Sequence, residues 1–284
     1  MRILVTGGAG FIGSALVGRL IGEGHDVSIL DITSPHPLYH GNITDKWDVD
    51  KSLDGIEVVY HLAGASNIDK VKDNPLQTIS SNIMGTANLL HFSVLHNIKR
   101  FIFVSTVYVY NSHGHLYTTT KRCGESLTKD FHTLYNLPYT ILRLGTVYGE
   151  KSRDEDVVSI FVKRALEGKP LEVHGDGNQS RRFLYIGDAV EALVRAMKPK
   201  AEDKTLTIVG PRTVTINELA KVVQNEVPHI VINHFPNKQR EDGVAEDNIV
   251  SNVDIEKETI EVLNWAPCTE VEEGIPKIVE WYST

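Results

Sequence analysis

Cysteine is nearly missing from this chain: there are two in 284 residues, Cys123 and Cys268, far apart and in no Cys-x-x-Cys spacing. That count excludes a disulfide framework and a thiolate zinc site, and it fits a reducing cytoplasm. Basic charge is in deficit as well, with 29 Lys and Arg against 37 Asp and Glu, a net charge of −8. Such a molecule repels nucleic-acid phosphates and anionic membrane surfaces, so neither is expected as a partner. An anionic ligand has to be held locally, by backbone N–H groups and a few Arg or Lys side chains. Long apolar runs are also absent. The opening Met1-Arg2-Ile3-Leu4-Val5-Thr6 reaches a glycine too soon to be the apolar core of an export signal. The longest run, Phe101 to Tyr110, is broken by Ser105 and Thr106 and is about half a membrane span.

What is present is a globular stock, 41% hydrophobic and 23% charged, with 22 glycines. A chain of this length makes one or two domains and buries roughly 75% of the surface it exposes when unfolded. Ile3-Leu4-Val5, Val27-Ser28-Ile29-Leu30, Val58-Val59-Tyr60-His61-Leu62, Phe101-Ile102-Phe103-Val104 and Thr140-Ile141-Leu142 are short β-branched runs without alternation. They read as strands covered on both faces. Between them lie segments with helical spacing, such as Leu76, Ile79, Ile83, Ala87, Leu90 and Val94, or Cys123, Leu127, Phe131 and Leu134. The alternation predicts an α/β fold with a parallel sheet. Beyond about Gly149 the pattern loosens into charged loops, a helix near Val157 to Leu166 and the turn His174-Gly175-Asp176-Gly177-Asn178. That half is expected to be a smaller, irregular lobe.

Gly7-Gly8-Ala9-Gly10-Phe11-Ile12-Gly13 follows the first strand and opens a segment in which Ile12, Leu16 and Leu20 recur every four residues. Gly7 permits a tight turn, Gly10 lets the backbone approach a pyrophosphate at a helix N-terminus, and Gly13 lets helix and strand pack closely. Asp31 stands 18 residues past Gly13, at the end of the second strand, where a carboxylate accepts hydrogen bonds from ribose hydroxyls. No Arg or Lys follows Asp31 closely, and a carboxylate repels a 2′-phosphate. NAD is therefore expected rather than NADP.

Tyr117-Thr118-Thr119-Thr120-Lys121 puts a phenol and an ammonium four residues apart on one helix face. A tyrosine of pKa about 10 is protonated at neutral pH, and a nearby cation favours its phenolate, which makes it a general base. His113 and His115 lie in a polar turn without acidic neighbours and read as solvated, so no metal is expected. Cys123 lies on the apolar stripe and reads as core.

The glycine spacing Gly-x-x-Gly-x-x-Gly resembles the extended short-chain dehydrogenase/reductase superfamily. Further matches run along the chain: His61-Leu62-Ala63-Gly64, Asn82 to Leu90, Leu142-Arg143 with Val147-Tyr148-Gly149, Gly175 to Phe183, and Leu263 to Pro267. Together these resemble the NAD-dependent epimerase/dehydratase family, whose members act on nucleotide-diphosphate sugars as the UDP-glucose 4-epimerases do. The resemblance implies a Rossmann-type doubly wound sheet over residues 1–150, with segments near 183–210 returning to it. Residues 151–284 would form mainly a substrate-binding lobe.

The same resemblance implies a cofactor site made by Gly7, Gly10, Phe11, Ile12, Gly13, Asp31, Asn42, Ile43, Leu62, Ala63, Gly64, Asn82, Tyr117 and Lys121. Asn42 replaces the Asp that usually contacts adenine. Tyr117, Lys121 and Thr106 are the implied catalytic residues, with Ser105 competing for the role of Thr106. Thr146, where many members carry Asn, and Arg181 and Arg240 are implied for the substrate, with Arg182 the rival of Arg181. The gap between Thr106 and Tyr117 is 117 − 106 = 11 residues, shorter than in most of the family. The implied activity is epimerisation at C4 of a nucleotide-diphosphate sugar. Reduction of a 4-keto-6-deoxy sugar by NAD(P)H and a non-catalytic NAD-binding regulatory role are the alternatives. A homodimer is implied, paired through Leu76 to His96 and Thr118 to Tyr135.

Overall fold

A computed structural model describes residues 1–34, 40–66, 68–111, 115–236 and 253–284. The β-branched runs form strands: β1 (Arg2–Thr6), β2 (Asp26–Leu30), β3 (Val58–His61), β4 (Arg100–Thr106) and β5 (Tyr139–Leu144). The helices among them are α1 (Phe11–Gly22), α2 (Lys46–Ser52), α3 (Ile68–Asp73), α4 (Pro75–Ile79), α5 (Thr86–Leu95) and α6 (Leu116–Tyr135). Next come β6 (Thr146–Tyr148), α7 (Val157–Leu166), β7 (Leu171–His174), β8 (Ser180–Arg181), β9 (Phe183–Tyr185), α8 (Ile186–Arg195) and β10 (Lys204–Ile208). The last elements are β11 (Val214–Thr215), α9 (Ile216–Glu226), β12 (Ile232–Phe235), α10 (Lys257–Leu263) and α11 (Val271–Ser283).

The main sheet has six strands in the order β10-β5-β4-β3-β1-β2. From β2 to β5 every neighbouring pair is parallel, with Val5 opposite Ile29 on one side and Tyr60 on the other. All four residues of β3 and all seven of β4 are buried, as expected of strands covered on both faces. Leu4, Val59, Phe101, Phe103 and Ile141 pack on one face with Val49 of α2, Leu53 at its C-terminal cap, and Leu89 and Leu90 of α5. Alternate residues point the other way, and there the Tyr60 hydroxyl donates to the Leu193 carbonyl of α8 at 2.9 Å. The arrangement is the doubly wound, Rossmann-type fold. β2 and β3 lie on opposite sides of β1, so the chain diverges at the carboxyl ends of β1 and β3, where such sheets bind ligands.

The segment over Leu76 to Val94 departs from the single amphipathic helix its spacing predicts. It is α4, a π-helical turn over Ser80–Gly85, and α5. Thr78, Asn82, Gly85, Thr86 and Leu89 are buried, whereas Leu76 and Ile79 of the apolar stripe are exposed. Around the wider turn polar residues face inward and Leu76 and Ile79 stay outside, while Leu90 of the same stripe is buried.

The chain divides into two compact units, one of Met1–Leu144, Val190–Thr207 and Glu256–Trp265, the other of Gly145–Ala189, Ile208–Ile255 and Ala266–Thr284. The return over Glu256–Trp265 is not expected from the sequence. In the second unit three two-stranded ladders, β6 with β9, β7 with β12 and β8 with β11, surround a core of Tyr148, Phe161, Val162, Phe183, Leu219 and Ile275. Gly274 is required there, because a Cβ would lie 2.2 Å from the Tyr148 hydroxyl.

Candidate active site

The glycine loop is built by contact distances. Gly7 has φ +73°, and a Cβ on it would meet the Ala63 nitrogen at 2.7 Å, so the loops after β1 and β3 touch. A Cβ on Gly13 would come within 2.1 Å of the Gly7 carbonyl. Gly13 therefore packs against the loop itself, whereas the motif sets it against the strand. Gly10 differs: its nearest neighbour to a Cβ is the Gly7 carbonyl at 3.3 Å. Gly10 is also the N-cap of α1 and brings no side chain to cap it. The N–H groups of the first turn, where Phe11 and Ile12 stand, are thus left to an anion. Asp31 is buried, and its carboxylate accepts from the Ala9 N–H at 3.0 Å and from the Thr33 N–H and hydroxyl at 2.8 and 2.7 Å. It ties the glycine loop to the end of β2.

Asn42 accepts at Oδ1 from the Thr44 N–H at 3.0 Å, and its own N–H donates to Asp48 Oδ2 at 2.8 Å. Ile43 is a core residue, packed so tightly on the π-helical turn that a Cβ on Gly85 would lie 2.5 Å from its Cδ1. Leu62 and Ala63 are half-buried, and their N–H groups donate to the Thr6 carbonyl and hydroxyl at 3.1 and 3.3 Å. Gly64, at φ +152°, leaves room for Asn82, whose Oδ1 would sit 2.8 Å from a Cβ there.

Asn82 itself has all its polar capacity engaged within the protein. Oδ1 accepts from the Ala65 N–H at 2.7 Å and the Ser81 hydroxyl at 3.2 Å, and Nδ2 donates to the Ala65 carbonyl at 2.9 Å and the Thr120 hydroxyl at 3.0 Å. It therefore fixes the loop after β3 to α6. Beneath it the buried His61 ring bridges the Thr6 and Thr86 hydroxyls, each at 2.8 Å. Burial, with the Lys121 charge adding to it, pushes His61 down to about 3, so the ring is neutral.

Tyr117, Thr120 and Lys121 are buried on the first turns of α6. The Lys121 ammonium donates to the Val104 carbonyl at 2.8 Å and lies 5.0 Å from the Phe103 ring centre. Its burial lowers its pKa to about 8, against the pull of the Glu125 charge. Thr106 ends β4 and accepts at Oγ1 from the Tyr108 N–H at 3.3 Å. Ser105 donates its hydroxyl to Glu125 Oε1 at 2.6 Å. Glu125 also accepts from Arg143 Nε at 3.0 Å and from an Arg143 terminal nitrogen at 2.6 Å, and the guanidinium lies 4.7 Å from the Tyr110 ring centre.

Neither Glu125 nor Arg143 has a site role in the sequence motifs. The spacing of Glu125, four past Lys121 on the same face, is the available signal. His115 is no solvated turn residue: it caps α6, accepting from the Thr118 N–H at 3.4 Å, with its ring 5.6 Å from Tyr108 and 6.0 Å from Tyr117. His113 and Arg240 lie outside the described residues.

Thr146 and Arg181 belong to the second unit, on β6 and β8. Arg181 donates to the Ser180 carbonyl at 2.8 Å. The neighbouring Arg182 is committed elsewhere, to the Gly210 and Pro211 carbonyls at 3.0 and 3.3 Å and to Asp254.

A family model described as the NAD dependent epimerase/dehydratase family matches residues 3–210. The chain belongs to this family. A putative UDP-glucose 4-epimerase of Methanocaldococcus jannaschii is 32% identical over 98% of the chain and 97% of its own length. UDP-glucuronic acid decarboxylase 4 of Arabidopsis thaliana is 33% identical over 99% of the chain and 68% of its own length. Among solved structures, a UDP-glucuronic acid 4-epimerase from Bacillus cereus, in complex with UDP-glucuronic acid and NAD, superposes with a TM-score of 0.86 at 26% identity, covering 100% of this chain and 99% of that one. Membership makes NAD the cofactor, and the uncapped α1 N-terminus behind Gly10 suits its pyrophosphate. Among the described residues there is no group of His, Cys, Asp and Glu that could hold a metal ion, and no helix long and apolar enough to cross a membrane.

Proposed function

We propose that the protein is a nucleotide-diphosphate-sugar epimerase acting at C4. The observation that carries this reading is the pairing of a buried Tyr117 and Lys121 on α6 with a β4 end that offers a hydroxyl but no acid. The two residues after Thr106 are Val107, buried in the core, and Tyr108, which packs on the His115 ring. Elimination of water across C5 and C6 needs a base for the C5 proton and an acid for the departing hydroxyl. Neither comes after Thr106, and Glu125 is held by Ser105 and Arg143.

Bound NAD supplies a hydride acceptor that gives the hydride back, so it is regenerated in every cycle. Thr106 orients the C4 hydroxyl, for which it is preferred to Ser105 because the Ser105 proton already belongs to Glu125. Tyr117 takes the hydroxyl proton and, once the keto-sugar has turned its other face, returns it to the C4 oxygen. Lys121 favours the phenolate by its charge. Asp31 and Asn42 hold the ribose and adenine, and Arg181 and Arg240 hold the sugar-nucleotide diphosphate, for which a guanidinium fork is suited. Thr146 completes the substrate contacts. Two copies pair through the exposed Leu76, Ile79 and Met84 with Leu134 and Tyr135, and the reducing cytoplasm is the site of action.

The test is incubation with a panel of nucleotide sugars, including UDP-glucose and UDP-glucuronic acid, in heavy water. Products are followed by chromatography and mass spectrometry, and the nicotinamide by absorbance. An epimerase yields an isomer of equal mass with no net absorbance change. Stoichiometric NAD(P)H consumption would assign a keto-sugar reductase, and loss of CO2 a decarboxylase. Loss of water with label at C5 would assign a dehydratase. Tight NAD binding with no turnover on any sugar would leave a regulatory role.

A further inference from the structure

One buried acid takes no part in the chemistry of Tyr117, Lys121 and Thr106. Glu125 stands four residues beyond Lys121 and eight beyond Tyr117, on the same side of α6. Its carboxylate receives three hydrogen bonds, from Ser105 at 2.6 Å and from Arg143 at 2.6 and 3.0 Å. The acid is thereby satisfied without Lys121, and among the described residues no direct ion pair within 4.0 Å joins the two. The ammonium stays on the Val104 carbonyl instead.

Lys121 needs a counter-charge. It is 7% exposed, and both the carbonyl and the Phe103 ring that face it from β4 are uncharged. The titratable groups around it are Tyr117 and Glu125 on α6, the neutral His61 on β3, and, through Glu125, Arg143 on β5 with Tyr110 against it. Among these Glu125 is the carboxylate. Removing an ion from water without a compensating charge drives it toward its neutral form, and a neutral lysine gives no support to a tyrosinate.

We infer that Glu125 is a positioning residue for the reaction: clamped by Ser105 and Arg143, it supplies the fixed negative charge that keeps Lys121 an ammonium ion one helical turn from Tyr117. This rests on the reading of Tyr117 and Lys121 as the catalytic pair. The clamp gives Arg143 a purpose beyond neutralising a buried acid. By holding the carboxylate, it prevents a direct Glu125–Lys121 bridge that would draw the ammonium off Val104.

The experiment is a side-chain titration of the NAD-loaded protein carrying 13C,15N-lysine, with the Lys121 resonance identified by its loss in Lys121→Arg. The wild-type midpoint is expected near 8. Glu125→Gln should lower it by about one pH unit or more, the usual effect of a nearby opposite charge, and Glu125→Asp should recover most of the shift. Glu125→Gln orphans Arg143 and risks misfolding, so Glu125→Gln/Arg143→Gln is measured alongside it, since removing both members of a buried pair is better tolerated than removing one. The double variant also lacks the acid and should lower the midpoint too. In step with this, the alkaline limb of the kcat profile should move to lower pH, because the charged lysine is the active form, giving about a fivefold loss at pH 8 for a one-unit shift and approaching tenfold above it. KM and NAD affinity should move less than kcat.

A Lys121 midpoint unchanged in either folded variant overturns the inference, as does a wild-type midpoint at the ordinary lysine value. A purely structural role would lower the melting temperature and leave the titration where it was. If Tyr117→Phe kept full turnover while Lys121 still responded to Glu125, the catalytic reading would fail and the electrostatic link would stand.

Discussion

The carboxyl edge of the main sheet holds two candidate sites made in different ways. Around β1 and α1 the working groups are backbone: a turn at Gly7, a Cβ position at Gly10 that lies 3.3 Å from the Gly7 carbonyl where that of Gly13 lies at 2.1 Å, and N–H donors at an uncapped helix end. Around β4, α6 and β5 they are side chains, Tyr117, Lys121, Thr106 and the Ser105–Glu125–Arg143 cluster, buried and hydrogen-bonded across three elements. A backbone site is sensitive to added atoms, because a methyl group cannot rotate out of the way of a carbonyl. A side-chain site is sensitive to lost atoms, because each buried polar group depends on its partner. Substitutions at the two should therefore fail differently.

The largest effect belongs to the side-chain end. Tyr117→Phe removes one oxygen and should slow turnover by about 10² to 10⁴-fold while NAD still binds, as product formation and calorimetry will show. Asp31→Ala should weaken NAD by about 1.5 to 3 kcal/mol, roughly tenfold to a hundredfold, and loosen the loop by stranding the Ala9 N–H; unchanged affinity in a folded variant would remove Asp31 from the ribose. Asn82→Ala should cost about 1 to 3 kcal/mol in chemical denaturation, since the Ala65 backbone and Thr120 lose their partners.

A pair of glycine variants sharpens the contrast. Gly13→Ala meets a carbonyl and should destabilise the fold by about 1 to 3 kcal/mol. Gly10→Ala, whose Cβ meets the same carbonyl only at 3.3 Å, should lower the denaturation midpoint less than Gly13→Ala and weaken NAD by about tenfold or more. Equal melting of the two variants would refute the distinction. A last effect is in pH. His61 is held neutral with its pKa depressed to about 3, so its contribution to stability is complete above the unfolded value of about 6.5. That contribution is lost as pH falls toward 3. The drop in denaturation midpoint across this window should be shallower in His61→Gln.

The strands and the glycine loop are legible in the sequence because each is specified locally. Short β-branched runs such as Phe101 to Val104 favour fully buried strands, and Gly7 and Gly13 sit in one compact motif directly after the first of them. The side-chain cluster is less legible. Ser105, Glu125 and Arg143 are brought together only by the pairing of β4 with β5 under α6, which spacing does not encode; the i, i+4, i+8 series Tyr117, Lys121, Glu125 is its one local trace. Asn82 stands out as a motif residue, but its saturation by Ala65 and Thr120 depends on two other elements. His115 reads as solvated because its neighbours in the chain are polar, whereas its ring packs on Tyr108 and Tyr117. In Leu76 to Val94 the apolar period marks Leu76 and Ile79 for burial. The π-helical turn overrides it by setting Thr78, Asn82 and Thr86 inward.

That turn also alters which changes the chain tolerates. A π-helical turn closes on i→i+5 rather than i→i+4, so Ser80–Gly85 stores one residue more than an ordinary helix of the same rise. Forcing the same residues into a plain α-helix, with none removed, would rotate α4 by about 100° against α5. Asn82 could then keep its hold on Ala65 and Thr120, or Leu89 and Leu90 could keep their seat on the sheet, but not both together. The constraint here is on the turn and not on the side chains it exposes: Met84 should accept many replacements, while a change that forces the stretch into a regular α-helix should uncouple the loop after β3 from α6.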